Sequence, residues 1–137
     1  MENIKYIVVV QCHIVKERCS GYFCEKSFHE RDGGFSVYPK EKPFRINYMT
    51  CGGCCGKAVL RKLSNLTRKI YKHEKVSKDE IMVQLSSCMT QDNYHSPKCV
   101  HLDYIKELIK RAGLVHLEGT RISRKAEERR LLGEYRR

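Results

Sequence analysis

Cys51-Gly52-Gly53-Cys54 is the densest piece of chemistry in this sequence. Two thiols in a Cys-x-x-Cys spacing serve either of two purposes: gripping a soft metal ion, or cycling between dithiol and disulfide. Six more cysteines accompany them, at positions 12, 19, 24, 55, 88 and 99, and His101 follows two residues after Cys99. In a secreted domain such a set reads as a disulfide framework; in a reducing compartment it reads as metal ligands or redox groups. The N-terminus, Met-Glu-Asn-Ile-Lys, lacks the basic segment and long apolar stretch of an export signal. The longest apolar run, Ile7 to Val10, is far too short to cross a bilayer. A cytoplasmic protein with free cysteines is therefore expected, without membrane attachment. Burial as a small hydrophobe is the plain alternative for any one cysteine, and a poor account of all eight.

The elements that must position these thiols follow from periodicity. Ile4 to Val10 is β-branched and almost continuously apolar, which suits a strand buried on both faces of a parallel sheet. A helix is expected from about Ser20 to Arg31, stopped by Asp32-Gly33-Gly34. Phe44 to Met49 alternates as a second strand. The turn from Cys51 to Gly56 is expected to open a long helix, because Val59, Leu63, Leu66 and Ile70 fall on one helical face. Ile81 to Leu85 gives a third strand. A further helix is expected from Leu102 to Ala112, ended by Gly113, and a fourth strand from Leu114 to Leu117. Strands alternating with helices imply parallel βαβ units with right-handed crossovers. The expected fold is a three-layer α/β domain over 1–120, an open parallel sheet of about four strands with flanking helices, Rossmann- or flavodoxin-like, in the order 2-1-3-4. Residues 121–137 form a basic tail, helical or disordered.

Cys12, Cys51 and Cys88 come just after predicted strands, and every strand of a parallel sheet ends at the same edge. Neighbouring strands stand roughly 4.8 Å apart, and a tetrahedral zinc with Zn–S bonds of about 2.3 Å needs sulfurs roughly 3.8 Å from one another. Side chains on adjacent strand tips span that difference. Open α/β sheets also bind their ligands at this edge. Cys19 and Cys24 flank the start of the first helix, Cys54 and Cys55 open the second, and Cys99 precedes the third. The partial positive charge of a helix start favours thiolate, the metal-binding form. Gly52 and Gly53 allow a tight turn and offer N–H groups to a sulfur or a bound anion.

These motifs resemble the CGGC-domain family of small proteins rich in Cys and His. The similarity runs from Ile4 to about His116. It rests on Cys12 after the first strand, Cys19-Ser20-Gly21 with Cys24, and Cys51-Gly52-Gly53-Cys54-x-Gly56-Lys57. It continues through Leu85-Ser86-Ser87-Cys88-Met89 and Cys99-x-His101. The resemblance implies metal binding, zinc above all. Where the family usually has proline after the second cysteine of the motif, this chain has Cys55, either a replacement in the first helical turn or an added thiol.

The leading expectation is a zinc-binding protein with ligands drawn from Cys12, Cys51, Cys54, Cys88, Cys99 and His101, and with Cys19 and Cys24 completing the site or forming a second one. An iron–sulfur cluster suits soft thiolates equally well. A dithiol–disulfide enzyme built on Cys51 and Cys54 is the catalytic alternative, although it needs only two of the thiols. Asp92, Asp103 and His95 are the candidates for a general base, none within a distinctive motif, and His116 near the fourth strand's end is read as structural. The formal charge of +11, from 27 Lys and Arg against 16 Asp and Glu, concentrates in 57–75 and 121–137. It permits nucleic-acid binding along Lys57, Arg61, Arg68 and Lys72. With Tyr71 as the sole neighbouring aromatic, that reading ranks last among the functions.

Overall fold

The computed structural model describes residues 3–92 and 97–134. His95 and the side chain of Cys54 lie outside that description. The chain runs through β1 (Tyr6–Gln11), the single-turn helix α1 (His13–Lys16), α2 (Tyr22–Glu30) and β2 (Arg45–Thr50). It continues through α3 (Ala58–Glu74), β3 (Ile81–Leu85), a second single-turn helix α4 (Ser87–Thr90), α5 (Leu102–Arg111), β4 (Val115–Glu118) and α6 (Arg124–Leu131). The four strands are all parallel and lie in the order β2-β1-β3-β4. This is the open three-layer sheet expected from the sequence.

The central strands explain why the sheet holds together. Every residue of β1 and of β3 is buried. Alternate side chains therefore feed two different cores. Tyr6, Val8, Val10, Ile81, Val83 and Leu85 face one side and pack with Val59, Leu63 and Ile70 of α3 and with Ile105 and Ile109 of α5. Ile7, Val9 and Met82 face the other, against Phe35 and Tyr38, with Phe28 of α2 packed alongside. Burying one such aliphatic side chain contributes about 1.5–3 kcal/mol, so the doubly covered central strands are the rigid part of the molecule.

The polar group in this second core is specific. Gln84 is fully buried. It accepts from the Tyr38 hydroxyl at 2.8 Å and donates to the carbonyls of Gly34 and Gly119 at 3.0 and 2.7 Å. One side chain thus ties the loop after α2 to the segment leaving β4. Gly34 permits this approach, because a Cβ there would stand 2.0 Å from the Gly119 carbonyl oxygen.

Two local features differ from the sequence reading. The long helix does not begin at the glycine-rich turn: a 3-10 turn spans Cys54–Gly56, Cys55 and Gly56 adopt left-handed φ values of 55° and 79°, and α3 starts only at Ala58. Gly56 is there because its Cα faces α5, where a Cβ would come within 2.5 Å of Ile105 Cγ1. Cys88 is not at a strand tip either; it is the second residue of α4. Among the described residues no helix is long and apolar enough to cross a membrane.

Candidate functional site

The sheet's hydrogen-bond ladder continues one step past the strands. The Cys51 N–H donates to the Gln11 carbonyl and the Ser86 N–H to the Val10 carbonyl, both at 3.0 Å. Cys51, Cys12 and the start of α4 therefore leave the sheet side by side at its carboxyl edge. The Cys12 N–H donates to Cys88 Sγ at 3.4 Å, and the Ser86 hydroxyl lies 2.8 Å from the same sulfur. Cys51 is buried in the core between the sheet and helices α3 and α5, and Cys12, Cys88 and Cys99 pack half-buried against that same cluster. Cys99 is fixed by its N–H donating to the Met89 carbonyl at 3.0 Å, and the His101 N–H bonds to its sulfur.

The electrostatics of these sulfurs show that they are neighbours. Burial pushes the Cys88 thiol up to about 11, against the opposing hydrogen bonds from Ser86 and Cys12, while Cys12 and Cys24 raise it further by charge repulsion. Cys99 is raised mainly by burial and also by the charges of Cys12 and Cys51, with the His101 N–H pulling the other way. The helix-start argument thus has the wrong sign for Cys99. Desolvation outweighs the local donors, so burial favours the neutral thiol at both.

Cys19 and Cys24 lie on the other side of Cys88. With Gln11, Thr120, Ile122 and Ala126 they line a small pocket of about 80 Å³, to which Cys88 also contributes. Cys24 Sγ lies 3.4 Å from the Thr120 hydroxyl. Ala126, buried in α6, closes the pocket from the C-terminal segment. Close by, the Tyr48 hydroxyl is buried without a hydrogen-bond partner, and burial together with the charges of Cys24 and Glu25 holds it up to about 12.

The glycine-rich turn is held by residues that the motif search missed. Gly52 and Gly53 take the positive φ values of 82° and 75° that the tight turn needs. Thr50 Oγ1 is the hub: it accepts from the Gly52 N–H at 3.3 Å and from Lys62 Nζ at 3.4 Å, and pairs with His13 Nδ1 at 3.0 Å. Lys62 also donates to the Thr50 carbonyl at 3.0 Å. The Gly52 N–H is therefore engaged by Thr50 rather than offered to a sulfur or an anion. His13 had a signal in the sequence, its place directly after Cys12; Lys62 had none, because its reach back depends on the kink at Cys55.

Of the thiols proposed from sequence, Cys12, Cys51, Cys88 and Cys99 meet on one rim, and Cys19 and Cys24 share the adjoining pocket through Cys88. His101 is exposed at the start of α5 and joins the rim by its backbone. Cys55 is exposed. Of the base candidates among the described residues, neither Asp92 nor Asp103 joins the rim. Asp92 accepts from the Lys98 N–H at 2.7 Å and from Arg130 at 2.9 Å, and both hold its carboxyl below the usual range. Asp103 and His116 border a surface depression beside Lys106, and burial with the Lys106 charge lowers His116. Among the described residues no three His, Cys, Asp or Glu side chains already stand around one point as an ion requires. The donors match a soft ion in chemical type.

No curated protein and no solved structure matches this chain. A family profile described as "CGGC domain" matches residues 6–121 of the 137, a span that contains every thiol and all of both apolar cores but Ile4. With that profile over most of its length and the cysteines gathered at the sheet's carboxyl edge, the chain belongs to the CGGC-domain family.

Proposed function

We propose that this protein binds a soft metal ion, zinc, through thiolates at the carboxyl edge of its sheet. The observation that carries the reading is the convergence of Cys12, Cys51, Cys88 and Cys99 from four separate segments onto one apolar cluster, near enough to repel one another as anions. Sulfurs so placed are poorly served by water, and a divalent cation relieves both the desolvation and the mutual repulsion. The residues that would hold the ion are these four, with Cys54 and His101 from the adjoining turn and helix start. Bound zinc would act there as a structural tie or a Lewis acid. Zinc is preferred to an iron–sulfur cluster because an imidazole such as that of His101, two residues after Cys99 in sequence, suits zinc as a further ligand.

Elemental analysis of protein expressed without a metal-affinity tag tests the reading. Stoichiometric zinc is expected in the parent chain, with a marked loss in Cys51→Ser and Cys88→Ser and near-parental content in Cys55→Ser. Equal zinc in all three variants removes the proposed site. Iron with acid-labile sulfide in anaerobically purified protein replaces zinc by a cluster.

A further inference from the structure

The outward face of α3 carries a row of exposed basic residues. Arg61, Arg68 and Lys72 recur at i, i+7 and i+11, which places them in one line about 16 Å long. Lys57 and Lys75 extend that line beyond the two ends of the helix, and all five are exposed. Among the described residues no carboxylate lies within ion-pair distance of any of the five. Glu74, the acidic residue of this helix, is already paired with Arg45. Several basic residues elsewhere are paired, Lys5 with Glu80, Lys106 with Glu118, Arg121 with Asp32 and Arg130 with Asp92; what marks α3 is five exposed cations set in one line. Uncompensated like charges along one helix repel one another, which opposes folding unless an anionic partner is met.

A groove runs beside this line. It is lined by Ser64, Thr67, Arg68 and Tyr71 of α3 and by Ser77 and Lys78 from the turn into β3, with a volume of about 560 Å³. Tyr71 is 60% exposed and presents its ring to the groove, with Lys75 Nζ 5.8 Å from the ring centroid. A row of cations, a flanking aromatic platform and hydroxyl-lined space form the combination that single-stranded nucleic acid uses, phosphates on the cations and a base on the ring. The Ser64 hydroxyl at the groove suits a ribose, whose 2′-OH both donates and accepts, whereas Thr67 and Ser77 already donate to the Leu63 carbonyl and to Asp79 and Glu80. An anionic membrane is a poorer match. The leucines of this helix, Leu60, Leu63 and Leu66, pack into the core and leave no apolar face to insert.

We propose that α3 and its groove form a binding surface for single-stranded RNA, independent of the thiol rim. The test is fluorescence polarisation of the full-length protein with a labelled twelve-nucleotide oligouridylate, titrated at several salt concentrations. Affinity should fall with salt, with a log–log slope near −2 for three phosphate contacts at about 0.7 each. Arg68→Ala should reduce the slope by about 0.7. Tyr71→Ala should weaken binding about tenfold at an unchanged slope, and Tyr71→Phe should restore it. The control variant, Arg124→Glu with Lys125→Glu in the tail, changes net charge as much as a double reversal on α3 and should shift affinity less than twofold. A loss from the tail variant equal to that from Arg61→Glu with Lys72→Glu reduces the effect to net charge and overturns the proposal. So does equal or tighter binding of oligodeoxythymidylate, or binding to phosphatidylserine vesicles that the α3 variants abolish while oligouridylate does not bind.

Discussion

Cys88 touches both groups of thiols at the carboxyl edge, and its environment pulls in two directions. Its sulfur accepts the Cys12 N–H and lies beside the Ser86 hydroxyl, contacts that favour a thiolate. Burial beside Cys12 and Cys24 outweighs them and holds it up to about 11. The consequence for metal-free protein is a stability that depends on pH with a defined sign. An unfolded thiol releases its proton near pH 8.5–9, whereas folded Cys88 keeps its own until about 11. Between those values the folded state binds more protons, so stability falls as pH rises. The loss amounts to about 3 kcal/mol by pH 11. Below pH 8.5 this contribution is complete and flat. Urea unfolding of chelator-treated protein should show a gap between the parent and Cys88→Ser that narrows by that amount from pH 8.5 to 11. Parallel curves across the window sink the assignment.

At the scale of elements, the turn from Cys51 to Gly56 governs how the thiols are presented. Cys55 sits at a φ of 55°, a conformation that costs a non-glycine residue about 1 kcal/mol or more, and it is exposed with nothing to gain from burial. Proline, which the resemblance leads one to expect here, is locked near −65° and cannot adopt this backbone. Cys55 is therefore not a simple stand-in for proline, because the turn itself is different. Cys55→Gly should leave stability unchanged or raise it by up to about 1 kcal/mol, and Cys55→Pro should lower it by about 2 kcal/mol or more. Gly56→Ala combines left-handed strain with a methyl 2.5 Å from Ile105, and should cost about 2–4 kcal/mol. Denaturation midpoints of the three variants decide it; a neutral Cys55→Pro rejects the left-handed turn.

Much of this was legible before any coordinates. The continuous β-branched run at Ile7–Val10 announces a doubly buried parallel strand, Ile81–Leu85 reads as a further strand, and strand–helix alternation leads to the observed order β2-β1-β3-β4. The single-turn helices α1 and α4 were not legible, because four residues carry no periodicity. Nor was the kink at Cys55, since no residue type there demands a left-handed backbone. The raised Cys88 and Cys99 thiols escaped for another reason: their burial comes from α3 and α5, packed against them from distant sequence.

For the whole molecule, the rim thiols come from the ends of β1 and β2, from α4 and from the approach to α5. An ion bound by Cys12, Cys51, Cys88 and Cys99 would cross-link four segments that are otherwise joined by the sheet, a few backbone hydrogen bonds and the apolar core. Binding free energy would then be folding free energy, because the unfolded chain cannot assemble such a donor set. Free zinc at a thousandfold excess over its dissociation constant adds about 4 kcal/mol to the stability of the bound state. For a domain of this size the gain corresponds to a melting temperature higher by on the order of 10 °C. Calorimetry of parent protein with and without chelator should show that shift. In Cys12→Ser the shift should shrink sharply, while Cys19→Ser, altered only in the adjoining pocket, should keep most of it. A chelator shift that is the same in the parent and in Cys12→Ser would mean that zinc acts elsewhere, and that packing and backbone hydrogen bonds hold the four segments at this edge without it.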